Sequence, residues 1–412
     1  MKTAAVIAEY NPFHTGHRYQ IEQTRRLTGA DYVLAVMSGD FVQRGAPAIY
    51  NKYIRTRMAL LEGADAVIEL PVLYALSSAE FFAQGGVRLL DRLGTVDFLS
   101  FGSEEGELSP ILFCADLILS SPSGYQDALS CLLRQGLSFP AARSRAILAL
   151  CRPADREAAG RVLTAPNNIL ALEYCKSLLA QKSRIRPITL KRQGNSYHDT
   201  ALNSDSSGFS SASAIRNAIE RGLSGVEENY PGHFLTADDF SALLHYRLLM
   251  EQENGFFQYL DCSREISDKI IKNITRFTCF TDFCALLKSK DVTYTRISRI
   301  LMHIFLDVRT PAAFRDPFCT RELSVPYARL LGFRRDCAPL LSAIKKNSSI
   351  PLVSKLADAP SLFEKRGSEG ESALSMLRQD VLAGDIYESV YSRKYKRMPA
   401  VSEYRQSPVI IE

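Results

Sequence analysis

Two histidines stand three residues apart around a glycine in the stretch "EYNPFHTGHRYQ", residues 9–20. His14-Thr15-Gly16-His17 follows an apolar run of strand length, "TAAVIAEY" (3–10), and opens a helical stretch from about His14 to Thr28. Such a junction aims free backbone amides and the positive end of a helix dipole at the carboxyl edge of a parallel sheet, where phosphate is favoured. Gly16 lets a phosphate approach the backbone closely. The two rings, three residues apart, project from the same side of the first turn. As hydrogen-bond donors they would neutralise charge developing on an α-phosphate while pyrophosphate leaves. With 6 His and 23 Gly in 412 residues, chance places His-x-Gly-His about 0.005 times per chain. The competing reading is a shared metal ion, but no third ligand sits at a usual nearby spacing, so no metal site is expected.

A second constellation lies in "SSASAIR" (210–216). Ser211, Ser213 and the first amides of another helix stand close in sequence to Arg216, a combination suited to holding β- and γ-phosphates. Alone it reads as an ordinary serine cap. Paired with His-x-Gly-His it reads as the second half of one nucleotide site.

These motifs need an α/β scaffold, and the first hundred residues supply one. Apolar strand-length runs at 3–10, 31–39, 65–71 and 96–104 alternate with helical stretches at 14–28, 51–64 and 77–93, the last closing on Gly94. Near-continuous apolar strands separated by helices imply a parallel sheet covered on both faces, a Rossmann-like domain. Residues 107–182 read as mostly helical, with Pro153 and Pro166 as first-turn prolines, before strand character returns at 185–193. "ALNSDSSGFSS" (201–211) is a polar loop, and a helix over 211–222 stops at Gly222. From about 235 to 395 amphipathic helices dominate with no alternating strands, so two units are expected: an α/β unit at 1–225 and a mainly helical unit at 226–412.

Composition narrows the class. Hydrophobic content of 46% and charged content of 23% are ordinary for a globular chain. No 18-residue apolar run and no secretory signal occur, so no membrane association is expected. Nine scattered cysteines with no C-x-x-C pair suit a reducing, cytoplasmic setting. A net charge of +5 is only mildly basic. Its distribution is uneven: Arg264–Lys355 holds 17 Lys/Arg against 8 Asp/Glu, whereas Leu356–Val390 holds 3 against 7. That basic block, with Arg334-Arg335, Lys345-Lys346 and the run Arg393, Lys394, Lys396, Arg397, is the expected electrostatic footprint for a polyanion.

Several long stretches in order, "AEYNPFHTGHRYQI", "VMSGDFVQRGAPAIYNKYIRTRMAL", "GADAVIELPV", "FGSE" and "PNNILALEY", closely resemble the bacterial tRNA(Met) cytidine acetate ligase family, within the His-x-Gly-His nucleotidyltransferases. The resemblance is dense over the first 220 residues and looser beyond. It implies an enzyme that uses acetate and ATP, carried with Mg²⁺, and not acetyl-CoA. Acetate would attack the α-phosphate to give acetyl-adenylate, and the acetyl group would pass to N4 of the wobble cytidine of elongator tRNA(Met). No obligate protein partner is implied. Carried over by position, ATP contacts are expected from Ile7, Ala8, Glu9, Tyr10, Asn11, Pro12, Phe13, His14, Thr15, Gly16, His17, Arg18, Tyr19 and Gln20, and from Gly102, Asn167 and Arg192. His14 and His17 would act on the α-phosphate, and Ser213 and Arg216 on the pyrophosphate end. Thr15 departs from the asparagine frequent in the family, at the variable position of the motif.

Plainer readings stand beside these. Gly102 could be a turn, Asn167 a first-turn cap, and Arg192 half of a surface ion pair. Arg44 in "VQRGAP" reads as a substrate or RNA contact, and Asp40 and Glu104 as carboxylates for ATP-bound Mg²⁺. Tyr10, Phe13 and Tyr395 are candidates for stacking on a splayed base, against an ordinary packing role. Two other functions fit the motifs less well: adenylylation of a small phosphorylated metabolite, which does not require a large basic helical half, and a non-catalytic RNA-binding protein, which would not retain all four phosphate-handling residues.

Overall fold

The computed structural model describes residues 1–120, 123–192, 211–222, 230–311, 324–397 and 402–412. Its centre is a sheet ordered β10-β8-β5-β2-β1-β6-β7, with β9 paired to β8. The strands are β1 Thr3–Ala8, β2 Tyr32–Ser38, β5 Ala66–Leu70, β6 Phe98–Ser103, β7 Arg186–Lys191, β8 Ala328–Arg334, β9 Leu352–Val353 and β10 Val409–Ile411; β3 Phe41–Val42 and β4 Ala46–Pro47 form a separate ribbon. β1 pairs in parallel with β2 on one side, Ala4 opposite Val33, and with β6 on the other, Ala4 opposite Phe98.

Alternation along the strands feeds two cores. Val6, Val33, Ala35, Met37 and Val67 face helices α1 (Thr15–Thr28) and α2 (Lys52–Leu61). Ala5, Leu34, Val36, Ile68 and Leu99 face the opposite layer, which includes α4 (Ala79–Leu93) and α9 (Pro166–Ala180). A short helix α3 (Val72–Ala75) leads into α4. The chain therefore leaves β1 toward β2 on one face and reaches β6 from the other, opening a crevice at the carboxyl end of β1, where such sheets bind ligands.

The expected N-terminal elements all form, and Gly94 ends α4 with φ 67°. Pro153 does not start a helix: 153–155 form a turn and the helix begins at Arg156, whereas Pro166 does open α9. The loop read at 201–211 lies outside the described residues except for Ser211.

The stretch read as strandless is not. β8 joins the edge of β5 in antiparallel pairing, β9 and β10 run parallel to β8, and so the two expected units contribute to one sheet. β8 was hidden because "ARLLGFR" is rich in helix formers. Its Gly332 is required by close packing, since a Cβ there would lie 2.6 Å from Thr56 Cγ2 and 2.7 Å from the Val409 carbonyl.

Buried charge seals the joint. Lys52 Nζ lies 3.0 Å from Glu69, 3.2 Å from Glu403 and 3.6 Å from Asp40, while Arg329 pairs with Glu69 at 2.9 Å and also with Glu403. Each ion is matched by partners of opposite sign, the condition for keeping charge out of water.

Candidate active site

Past β1 the chain turns through Tyr10 (φ 49°) and a cis Asn11–Pro12 bond, and His14 becomes the N-cap of α1. The Gly16 amide donates to His14 Nδ1 at 3.1 Å, and the His14 amide donates to His17 Nδ1 at 3.3 Å. The rings stack with centroids 3.8 Å apart, and His17 is further wedged against Tyr10 and Phe13. Because each Nδ1 accepts an amide hydrogen, each neutral ring carries its proton on Nε2. Burial, with Arg192 and Arg216 nearby, pushes the His14 pKa down to about 4. Burial, His14 and Arg192 hold His17 well below the usual histidine range. The pair is thus a set of neutral N–H donors at a helix N-terminus.

These rings line a cavity of about 320 Å³ in the crevice beyond β1. Of the expected residues, Ile7, Ala8, Glu9, Tyr10, Asn11, Gly16, Tyr19, Gln20, Gly102, Asn167, Arg192, Ser213 and Arg216 line it as well. Four do not. Phe13 and Pro12 are buried, Phe13 against His17; Thr15 is exposed on α1; and Arg18 turns outward to Glu22 at 3.6 Å and Glu62 at 3.5 Å.

The second constellation faces the first. Ser211 caps helix α10 (Ala212–Glu220) by accepting from the Ala214 amide at 3.1 Å. Arg216 donates to the Asn11 carbonyl and, at 3.0 Å, to Ser213 Oγ, which also accepts from Arg44 at 3.2 Å. Arg216 is thereby tied to the loop that carries His14.

Asn167 and Arg192 form the third side. Glu104, just past β6, accepts from the Asn167 amide at 3.2 Å, from Asn167 Nδ2 at 2.9 Å and from the Asn168 amide at 3.0 Å. With its Nδ2 so occupied, Asn167 presents Oδ1 to Arg192 at 2.8 Å. A Cβ on Gly102 would stand 3.3 Å from Arg192 Cγ, so the glycine gives the arginine stem room.

The two carboxylates expected to meet Mg²⁺ do other work. Glu104 caps α9, and Asp40 accepts from the Lys52 amide at 2.7 Å in the buried charge cluster. Neither lines the cavity, and no cluster of three metal-ligating side chains occurs among the described residues. Tyr10 and Phe13 are buried, and the Tyr395 hydroxyl both donates to and accepts from Phe234 backbone atoms at 2.8 Å, so each packs.

Sequence reading missed the apolar wall of Ala79, Phe82, Phe101, Leu170, Ala171 and Tyr174, together with Gln43, Leu190 and Lys191. Leu170 and Tyr174 are four apart on α9, a spacing visible in the sequence but indistinguishable there from core. It also missed Arg55, fully buried, whose guanidinium donates to the carbonyls of Glu9 (2.6 Å), Ser38 (3.1 Å), Tyr50 (2.9 Å) and Gly39 and so fixes the loops after β1 and β2.

The basic residues divide. Arg296 and Arg299 pair with Asp261, and Arg329 is buried. Arg334, whose amide donates to the Asp65 carbonyl, and Lys345-Lys346, on a helix whose end bonds to the Arg92 carbonyl, lie at the amino edge of the parallel strands, away from the cavity. The run Arg393–Arg397 lies on the cavity side: Tyr395 holds Phe234, and nearby Tyr230 donates to the Phe13 carbonyl at 2.9 Å.

A histidine pair capping a helix at the carboxyl end of a parallel strand, with an arginine and a serine lining the same cavity, has the layout of a nucleotidyltransferase, and residues 1–401 match the HIGH Nucleotidyl Transferase family model. Within that class the chain belongs to the tRNA(Met) cytidine acetate ligase family. It is 38% identical to the tRNA(Met) cytidine acetate ligase of Clostridium kluyveri over 430 residues, and 38% identical to that of Clostridium perfringens over 428, with all of each chain covered. Thermotoga maritima TmcAL without ligand superposes with a TM-score of 0.89, and its form bound to alpha-thio ATP with 0.87, each at 29% identity over the whole of both chains.

Proposed function

We propose that this protein activates acetate with ATP and transfers the acetyl group to N4 of the wobble cytidine in elongator tRNA(Met). The observation that carries the reading is the pair of neutral Nε2–H donors at the N-terminus of α1, opposite Arg216 and Ser213 across one cavity. The nucleotide lies with its α-phosphate at His14 and His17 and its β- and γ-phosphates toward Ser213, Arg216 and Arg44. Asn167 and Arg192 hold the nucleoside end. Attack by an acetate oxygen on the α-phosphorus expels pyrophosphate, and the ring N–H groups and helix amides stabilise the added charge. Mg²⁺ enters with the nucleotide's own phosphates, in keeping with a cavity whose lining, among the described residues, includes a single carboxylate, Glu9.

The cavity-side basic run, Arg393 to Arg397, is the expected phosphate-contacting face for tRNA. Acetyl-CoA is no part of the reaction, acetate being the donor. A cytoplasmic setting belongs to the same reading, and the eight cysteines among the described residues are free. No helix among the described residues is long and apolar enough to cross a membrane.

The test is a nucleoside mass analysis of tRNA(Met) incubated with the protein and ATP plus either acetate or acetyl-CoA. N4-acetylcytidine in the acetate reaction alone is the expected result. Its absence, with the adenylyl group passed to another acceptor and pyrophosphate released, overturns the reading.

A further inference from the structure

We infer that Glu9 takes the proton from the attacking cytidine amine in the second half-reaction, an inference that rests on the proposed acetyl transfer. Acyl transfer to an amine releases a proton, so the site needs an acceptor within reach of N4. His14 and His17 cannot supply it, because both Nδ1 lone pairs are committed to backbone amides and both Nε2 atoms carry hydrogen. The arginines and Lys191 are cations. Tyr10 and Tyr174 line the cavity with buried hydroxyls that have no hydrogen-bond partner among the described residues, and burial pushes both phenols up, so they stay protonated.

That leaves Glu9, the one acidic side chain among the described residues that line the cavity. It sits at the carboxyl end of β1, two residues before Asn11, whose carbonyl binds Arg216. Its Oε1 accepts from the Gln43 amide at 3.0 Å, and its backbone carbonyl is held by buried Arg55 at 2.6 Å. Oε2 meets no donor among the described residues. A carboxylate opposes the binding of a triphosphate, so its place here calls for a role that the nucleotide does not fill.

In the step, N4 attacks the carbonyl carbon of acetyl-adenylate. The C–N bond forms, the anhydride C–O bond breaks, and AMP leaves with the electron pair while His14 and His17 donate to its phosphate. The N4 proton passes to Glu9 Oε2 and then to solvent.

The experiment compares the full chain with its Glu9→Gln and Glu9→Asp variants, since glutamine keeps the acceptor for the Gln43 amide. Three rates are read: acetate-dependent exchange of labelled pyrophosphate into ATP, acetyl-hydroxamate formation when hydroxylamine intercepts the adenylate, and single-turnover acetylation of tRNA(Met). For Glu9→Gln acetylation should fall by about 10²- to 10⁴-fold, and by at least about tenfold more than either of the first two rates. Glu9→Asp should recover part of that loss. Exchange that falls in step with acetylation would overturn the inference and place Glu9 in the first half-reaction or on the metal. Undiminished acetylation would also overturn it. If the unsubstituted chain exchanges pyrophosphate but makes no acetylcytidine, the underlying function fails, and Glu9's role with it.

Discussion

His14 and His17 cap one helix through the same atom of each ring: Gly16 N–H donates to one Nδ1 and His14 N–H to the other. The bonds that begin α1 therefore also decide that both Nε2 atoms carry hydrogen toward the cavity. On the proposed mechanism, folding and transition-state stabilisation draw on one arrangement, and a substitution can separate them. Asparagine is a good N-cap and offers a shorter donor. His14→Asn should change unfolding free energy by no more than about 1 kcal/mol while lowering acetate-dependent pyrophosphate exchange by about 10²- to 10³-fold. Thermal melts and exchange rates measured together check this.

Histidine burial makes stability fall in acid. His303 is fully buried between the Leu260 and Leu76 carbonyls, with Nδ1 at 2.8 Å and Nε2 at 3.1 Å, and desolvation brings its pKa down to about 4. His14 is likewise at about 4, and His17 is lowered. With folded values below the unfolded one near 6.5, the unfolded chain binds more protons in this window. Stability is fully present above about pH 6.5 and is lost as pH falls toward 4. His303 alone accounts for about 3 kcal/mol at the acid end. Melting temperature should decline between those pH values, and a His303→Gln variant should show a shallower slope.

Glu104 acts at one remove. It holds Asn167 by both amides, and Asn167 in turn meets Arg192 at 2.8 Å. Glu104→Ala should raise KM for ATP by about tenfold, in the range of one lost charged hydrogen bond, and lower kcat much less. Because the residues form one chain, Glu104→Ala combined with Arg192→Ala should cost less than the two single losses added. Steady-state kinetics on the three variants measure the coupling, and full additivity would remove Glu104 from the chain.

Legibility followed the physics of each signal. His-x-Gly-His could be read because its spacing, its glycine and its strand-to-helix junction all encode local geometry. The long-range pairing of β5 with β8 could not, since Glu69 and Arg329 are far apart in sequence and Arg329 looks like any other member of a basic block. For the same reason Asp40 and Glu104 looked available to a cation, when one neutralises Lys52 and the other caps α9. Arg55 had no signal at all in a helix written "KYIRTRMALL"; only the fold shows that its donors meet the carbonyls after β1 and β2.

The placement of basic residues separates two faces that the sequence joined. Arg393 and Lys396 are exposed beside Tyr395, which is linked through Phe234 and Tyr230 to the loop carrying His14. Lys345 and Lys346 are equally exposed, but on the helix that ends against Arg92 at the opposite edge of the sheet. A tRNA that delivers its wobble base to the cavity must lay its anticodon stem over the first face. Each phosphate contact removed should reduce the slope of log affinity against log salt by about one. The Arg393→Ala, Lys396→Ala double variant should therefore bind tRNA(Met) about tenfold more weakly in moderate salt, with a slope smaller by about two. The Lys345→Ala, Lys346→Ala variant should stay within about twofold of the unsubstituted chain. Filter binding at several salt concentrations measures both, and the reverse ranking would move the tRNA to the far edge and leave the base no direct path to His14.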